Sequence, residues 1–208
     1  MIKRMDPEQH WNAVYQTKSS DAVSWYAPHL TRSLELIHEA RLPKAAAFID
    51  IGGGASTLPA DLLDQGFSNI TVLDISSAAV DAASAQLGER AAAVKWLVGD
   101  VTKVCLPESA FDLWHDRAVF HFLTEEADRR AYLSQVLRSL KPDGRIIVAT
   151  FGPEGPQRCS GLDVVRYDEE SLQRQFGSLF QRVRCIEEQH TTPWGSVQEF
   201  VYCLCRRR

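Results

Sequence analysis

The sequence predicts an α/β fold: a mostly parallel sheet of seven strands with helices on both faces, ending in an antiparallel hairpin. Short strand-like apolar runs alternate with longer helical ones as far as Thr150, the pattern of parallel strands joined by right-handed crossovers. The first of these runs, Phe48-Ile49-Asp50-Ile51, breaks into Gly52-Gly53-Gly54-Ala55-Ser56, and the same sequence of strand, acid and turn returns at Asp74, Asp100 and Asp116. The last two apolar runs are joined by a turn too short for a crossover helix, so they pair with each other.

Five strands are expected at Ala47 to Ile51, Asn69 to Asp74, Val94 to Gly99, Phe111 to Asp116 and Gly144 to Thr150. Helices are expected near Ser56 to Gln65, Ser77 to Leu87 and Asp128 to Ser139. The hairpin takes Leu179 to Glu188 and Gln198 to Cys205, with the turn-rich Gln189 to Ser196 between them. Ligands of such sheets bind beyond the carboxyl ends of the strands. Glycines after the first strand let the backbone approach a ligand where a Cβ would clash, and the following helix offers free amides.

Composition narrows the functional classes. At 208 residues, 45% hydrophobic and 24% charged, the chain suits a single domain with a substantial core. Its net charge of -4 and pI near 5.9 argue against non-specific nucleic-acid binding. The basic run Arg206-Arg207-Arg208 reads as a solvated end. No apolar run reaches the ~20 residues of a membrane helix, and Met1 to Asp6 is followed by no apolar stretch of a signal peptide. A soluble cytoplasmic protein without membrane or nucleic-acid partners is expected.

The five cysteines, Cys105, Cys159, Cys185, Cys203 and Cys205, are odd in number and lack a C-x-x-C pair, which argues against a disulfide framework and a structural zinc site. Cys203 and Cys205 read as small strand hydrophobes. Six histidines form no ligand-spaced cluster with them, so no metal is expected.

The residues resemble the class I S-adenosylmethionine-dependent methyltransferases over most of the chain. Asp50-Ile51-Gly52-Gly53-Gly54 looks like that family's acid-x-Gly-x-Gly first motif, and Leu140-Lys141-Pro142-Asp143-Gly144 is similar to its Leu-Lys-Pro-Gly-Gly turn. The resemblance implies a Rossmann-like fold with S-adenosyl-L-methionine as cofactor. It makes Asp74 the acid on the ribose hydroxyls, with Ile75 beside it, Asp100-Val101 the pair near adenine, and Asp116 a neighbour of the methionine part. Trp11, Tyr15 and Trp25-Tyr26 resemble the aromatic segment of a subgroup that includes elongation-factor lysine methyltransferases and small bacterial methyltransferases, where it folds over the cofactor. Residues 1–46 are therefore expected to be a lid segment and 47–208 the methyltransferase domain. Ser56 stands where a third glycine often sits and Asp143 replaces one glycine, both tolerable because Ser caps helices and Asp accepts turn conformations.

The expected cofactor-binding residues are Trp11, Tyr15, Trp25, Asp50, Gly52, Gly54, Asp74, Ile75, Asp100, Val101 and Asp116. Each has a plainer reading: a tight turn for the glycines, helix caps for Asp74 and Asp100, a surface ion pair for Asp116 with Arg117, core packing for the aromatics. Asp74 follows Gly52 by 22 positions (74 minus 52), a spacing that also suits a dinucleotide; Asp50 ahead of the turn and the missing third glycine favour the sulfonium cofactor. Methyl transfer needs mainly positioning and desolvation. Where the acceptor must lose a proton, His121, just past the fourth strand, is the candidate base; otherwise it is an ordinary packed residue. The loop Phe151 to Leu162, with Arg158 and Cys159, is expected to shape the acceptor pocket.

The sequence favours transfer to O, N or S of a small molecule; transfer to a protein lysine, a non-catalytic cofactor-binding partner subunit and an NAD-dependent reductase remain open.

Overall fold

A computed structural model describes residues 6–208; the reading of Met1 to Met5 lies outside them. The chain opens with helix α1 (Pro7–Thr17), whose N-cap Asp6 accepts from the Glu8 amide and whose first turn holds Pro7, both ordinary start signals. Helix α2 (Thr31–Glu39) follows. Then come β1 (Ala47–Ile51), α3 (Leu58–Asp64), β2 (Asn69–Asp74), α4 (Ser77–Leu87), β3 (Val94–Val98), β4 (Phe111–Arg117), α5 (Glu126–Ser139) and β5 (Leu140–Phe151). A two-residue pair, β6 (Arg158–Cys159) and β7 (Leu162–Asp163), precedes α6 (Glu169–Phe176) and the hairpin β8 (Phe180–Thr191) and β9 (Val197–Arg207).

Seven strands form one sheet in the order β3-β2-β1-β4-β5-β9-β8. The first five are parallel, and β9 runs antiparallel beside β5 with β8 outside it. The order reverses between β1 and β4, which begin the two halves of the sheet. That is where a crevice opens at the carboxyl ends of an α/β sheet.

Alternation along the strands divides the core in two. Ile49, Ile51, Ile146 and Val148 face a layer containing Tyr132 and Val136 of α5 and Leu172 and Phe176 of α6. Phe48, Leu113 and Ile147 face Leu36 and Ile37 of α2 and Leu58 and Leu62 of α3. Thus α2, although it lies within the expected lid segment, packs as part of the sheet's cover. Gly54 lets α4 sit close to the first turn: a Cβ there would stand 2.4 Å from Ala79 Cβ.

Several boundaries move. Strand β5 begins at Leu140, ahead of the expected Gly144, because Leu140 pairs with Phe111 across a register shift and the Lys141-Pro142-Asp143 break is absorbed as an irregularity. Asp143 takes φ 62 there, the conformation Asp was expected to tolerate. The hairpin strands are longer than expected and leave only residues 192–196 in the turn, closed by Thr192 and Ser196. The arginine run is no loose tail: Arg206 and Arg207 belong to β9, and Arg206 pairs with Asp143 at 2.6 Å.

The cysteines also depart from expectation. Cys185 and Cys203 are register partners across β8 and β9, and their sulfurs form a disulfide. The bond closes a loop between sequence positions 18 apart; facing positions on neighbouring strands supply the proximity that cysteine spacing along the chain does not show. Cys205, two residues on, is buried as expected.

Candidate active site

A cavity of about 570 Å³ lies along the carboxyl ends of the parallel strands, within the range of small-ligand sites. Gly52, Asp74, Ile75, Asp100, Val101 and Arg117 line its strand side, and Trp11, Tyr15 and Trp25 line it from the N-terminal segment. A smaller cavity adjoins the glycine turn and is lined by Asp50, Gly52, Gly53, His115 and Arg117 together with Tyr15 and Trp25.

The turn is made by Gly52, whose φ of +66° is in the left-handed region and whose Cβ would fall 2.1 Å from Val119 Cγ2. Any side chain there meets both strain and overlap. Gly54 donates its amide to Asp74 Oδ2 at 3.0 Å, and the Ser76 amide reaches Asp74 Oδ1 at 2.8 Å. The glycine turn thereby fixes the acid of the next strand. Burial pushes the Asp74 carboxyl up to about 6, against the pull of those amides. At Asp100, partial burial is outweighed by the Lys103 ammonium at 2.7 Å and by Thr102, which hold the carboxyl below its ordinary value. Ser56 Oγ accepts from the Leu58 amide at 3.1 Å, the capping expected of it.

Asp50 sits deeper, on the strand face turned toward α2. Its Oδ1 is 2.6 Å from His115 Nδ1, and His115 Nε2 is 2.8 Å from Ser33 Oγ of α2. All three are buried. Asp50 Oδ2 is buried with no hydrogen-bond partner. His115 was not singled out from sequence. Asp50 and His115 are register partners of β1 and β4, a pairing visible only once the strands are aligned.

The aromatic segment is a roof. Trp11 meets Trp25 at 5.7 Å and Phe122 at 5.2 Å, both edge to face, and Tyr15 lies 6.3 Å from Trp25. Asn12 Oδ1 accepts from Ser76 Oγ at 2.8 Å and from the Ala78 amide at 3.3 Å, so α1 is tied to the start of α4. Burial, and then the Asp74 charge, pushes the Tyr15 hydroxyl pKa up, which keeps it a neutral donor.

Three expected site residues line neither cavity: Gly54, which packs against Ala79 and Asp74, and Asp116 and His121. Asp116 is fully buried, accepts from Tyr132 Oη at 2.7 Å through Oδ2, and accepts from the Val119 and Phe120 amides through Oδ1. It folds the chain at the end of β4, lines neither cavity, and makes no pair with Arg117. His121 is likewise buried in the core, packed between Phe122 and Phe151, with Nδ1 accepting from the Phe151 amide at 3.2 Å. Burial, with Arg117 adding to it, lowers its pKa to about 3. A buried imidazole that lines neither cavity is not placed to take a proton from an acceptor there. His121→Asn is expected to leave cofactor affinity within about two-fold while costing roughly 1–3 kcal/mol of stability for the lost packing and acceptor, read by calorimetric titration beside urea unfolding.

From the loop after β5, Cys159 and Leu162 do reach the cavity, whereas Arg158 is exposed and pairs with Asp163 at 3.0 Å. Other lining residues escaped the sequence reading: His10 on α1, and Phe122, Leu123 and Thr124 after β4. Only the i, i+4 aromatic spacing marked α1 as a ligand-facing helix, and His10 falls one position outside it.

The residues present fit S-adenosylmethionine. Carboxylates at Asp74 and Asp100 line the larger cavity, an unpartnered carboxylate oxygen of Asp50 is held at the glycine turn, and Gly52 and Gly53 line the smaller cavity with their backbone. These are the acceptors that a sulfonium cation, an α-amino group and a ribose diol require.

Comparison with known proteins agrees. Residues 49–148 match the family model of a methyltransferase domain. The chain is 28% identical over 144 residues to the eEF1A lysine and N-terminal methyltransferase homolog of Drosophila melanogaster, covering 66% of this chain and 21% of that protein. It is 24% identical over 156 residues to human EEF1A lysine methyltransferase 2, covering 68% of this chain and 66% of that one. The chain thus spans about a fifth of the first of these relatives. Among solved structures, a methyltransferase of Anabaena variabilis superposes with TM-score 0.72 at 16% identity, over 97% of this chain and 93% of that one. The 1,6-didemethyltoxoflavin-N1-methyltransferase of Burkholderia thailandensis, solved with S-adenosylhomocysteine, gives 0.68 at 21% identity, over 96% of this chain and 83% of that one. With this fold, this glycine turn and this family match, residues 49–148 form a methyltransferase domain of the class I S-adenosylmethionine-dependent type.

Proposed function

We propose that this chain moves the methyl group of S-adenosylmethionine to a nucleophilic O, N or S atom of a small molecule. The observation that carries this reading is the roof. Because α1 is tied to α4 at one side and meets Phe122 edge to face at the other, the space below it suits a compact acceptor better than an extended polypeptide.

When bound, S-adenosylmethionine supplies an electrophilic methyl group on a sulfonium. The chain's own residues do the rest by placement. Asp74 would accept from the ribose hydroxyls, Asp100 and Val101 would flank the base, and the Gly52 turn with Asp50 would receive the methionine end. Trp11, Tyr15 and Trp25 exclude water from the reacting centre, which strengthens each fixed dipole there. His115 holds the Asp50 carboxylate through one oxygen and leaves the other free. No proton passes through His121.

Protein lysine is the second reading, favoured by the names of the two relatives above. Radiolabelled S-adenosylmethionine offered with panels of thiols, carboxylic acids and amines, and separately with lysine-bearing elongation factor, discriminates them. Label in a small molecule and none on protein is the expected result. Label on a lysine alone replaces the small-molecule reading with the protein one. Saturable cofactor binding without transfer to any acceptor points to a partner subunit.

A further inference from the structure

We infer that the guanidinium of Arg117 is built to receive a carboxylate inside the cavity; this rests on the methyltransferase reading only for what supplies that carboxylate. Arg117 ends β4, the strand beside the reversal of sheet order, and lines both cavities. Its side chain is only 6% exposed. It is held in one pose: Nε donates to Tyr202 Oη at 2.8 Å, Nη1 donates to the Trp25 carbonyl at 2.8 Å, and the group lies 4.7 Å over the Phe200 ring centre.

What is missing is an acceptor for Nη2. Its nearest carboxylate oxygen is Glu188 Oε2 at 3.9 Å, beyond hydrogen-bond reach. That oxygen already accepts from Tyr202 Oη at 2.6 Å. Among the described residues nothing else accepts from Nη2. A nearly buried guanidinium with unfilled donors is costly, and here it forms the wall of a cavity whose other charged lining residues are Asp6, Asp74, Asp100, Asp128, Asp163 and one further cation, Lys103, which pairs with Asp100 at 2.7 Å. A positive charge that no carboxylate of the lining pairs therefore stands at the end of β4. A planar fork with its plane already fixed suits the two oxygens of a carboxylate.

Two molecules can bring that group: the cofactor, through its methionine end, or an acceptor that is itself a carboxylic acid. Calorimetric titration separates them, using S-adenosylmethionine, decarboxylated S-adenosylmethionine, and benzoate added to protein saturated with S-adenosylhomocysteine. Arg117→Gln is expected to weaken one of these roughly ten- to a hundred-fold. If the loss falls on S-adenosylmethionine and spares its decarboxylated analogue, the cofactor is the source. If it falls on benzoate, the acceptor is.

Equal affinities of wild type and a normally melting Arg117→Gln for all three probes overturn the inference. Should that variant fail to fold, Glu188→Gln decides. Removing the internal carboxylate is expected to tighten the carboxylate-bearing probe several-fold, and no change overturns the inference. Wild-type protein that binds neither S-adenosylmethionine nor S-adenosylhomocysteine defeats the functional reading instead. Benzoate titrated into the unliganded wild type and Arg117→Gln then tests Arg117 by itself: binding lost in the variant supports the inference, and its absence or equality in the two overturns it.

Discussion

Asp74→Asn is expected to weaken S-adenosylmethionine binding by about 3 kcal/mol, on the order of a hundred-fold in Kd, because a charged acceptor facing two hydroxyl donors becomes a neutral amide with one acceptor oxygen. A second effect comes with pH. Burial holds the wild-type carboxyl near 6, above its ordinary 3.8. Binding that requires the carboxylate then falls about ten-fold per pH unit below that value. In Asp74→Asn that slope disappears. Fold stability runs the other way. A raised folded-state pKa means the native protein holds its proton more tightly than the unfolded chain. The contribution of Asp74 is therefore most favourable below pH 3.8 and is lost as pH rises through about 6. Ligand affinity and unfolding free energy, measured from pH 5 to pH 8, should show these opposite slopes, and an affinity flat across pH 6 in the wild type excludes Asp74 as the ribose acceptor.

Asp116→Ala is expected to cost about 3–5 kcal/mol in unfolding free energy. The substitution leaves Tyr132 Oη and the amides of Val119 and Phe120 without an acceptor in a site closed to water. Trp114 Nε1 donates to the same Tyr132 oxygen at 2.8 Å, so the loss spreads to the largest fully buried side chain of the core. Burial raises the Asp116 pKa to about 6 even with these donors present, a measure of how enclosed the carboxyl is. Urea unfolding followed by tryptophan fluorescence checks the magnitude. A variant that keeps wild-type stability but cannot bind S-adenosylmethionine restores Asp116 to the cofactor site and removes the structural account given for it.

The contrast between these two acids marks the limit of what the sequence discloses. Asp74 ends β2 and Asp116 stands one residue before the end of β4, and periodicity does not distinguish them. Asp74 faces the cavity because the amide of Gly54 meets it from the neighbouring turn. Asp116 is drawn into the core by Tyr132, a residue of α5 sixteen positions on. Strands β1 and β2 and helix α4 were legible to the residue, since apolar alternation and Ser76 as an N-cap are local signals. Helix α2 was not, because its N-cap is Leu30, which offers no side-chain hydrogen bond. Helix α6 did announce itself through the capping box of Asp168 and Ser171, a pattern that sits among loop-like residues and is easily passed over. The links between Asp50 and His115 and between Cys185 and Cys203 depend on strand register, which no local pattern contains.

Helix α1 contains no fully buried residue, and its hold on the domain consists of a few aromatic edges and the Asn12 side chain. Local opening of such an element costs far less than global unfolding. Yet the Ser76 hydroxyl that grips Asn12 belongs to the residue whose amide steadies Asp74. The helix that roofs the cavity is thus anchored on the very turn that holds Asp74 in place. Any loosening of α1 reaches that acid through a single serine, so a helix with no fully buried residue and a buried carboxylate share one latch.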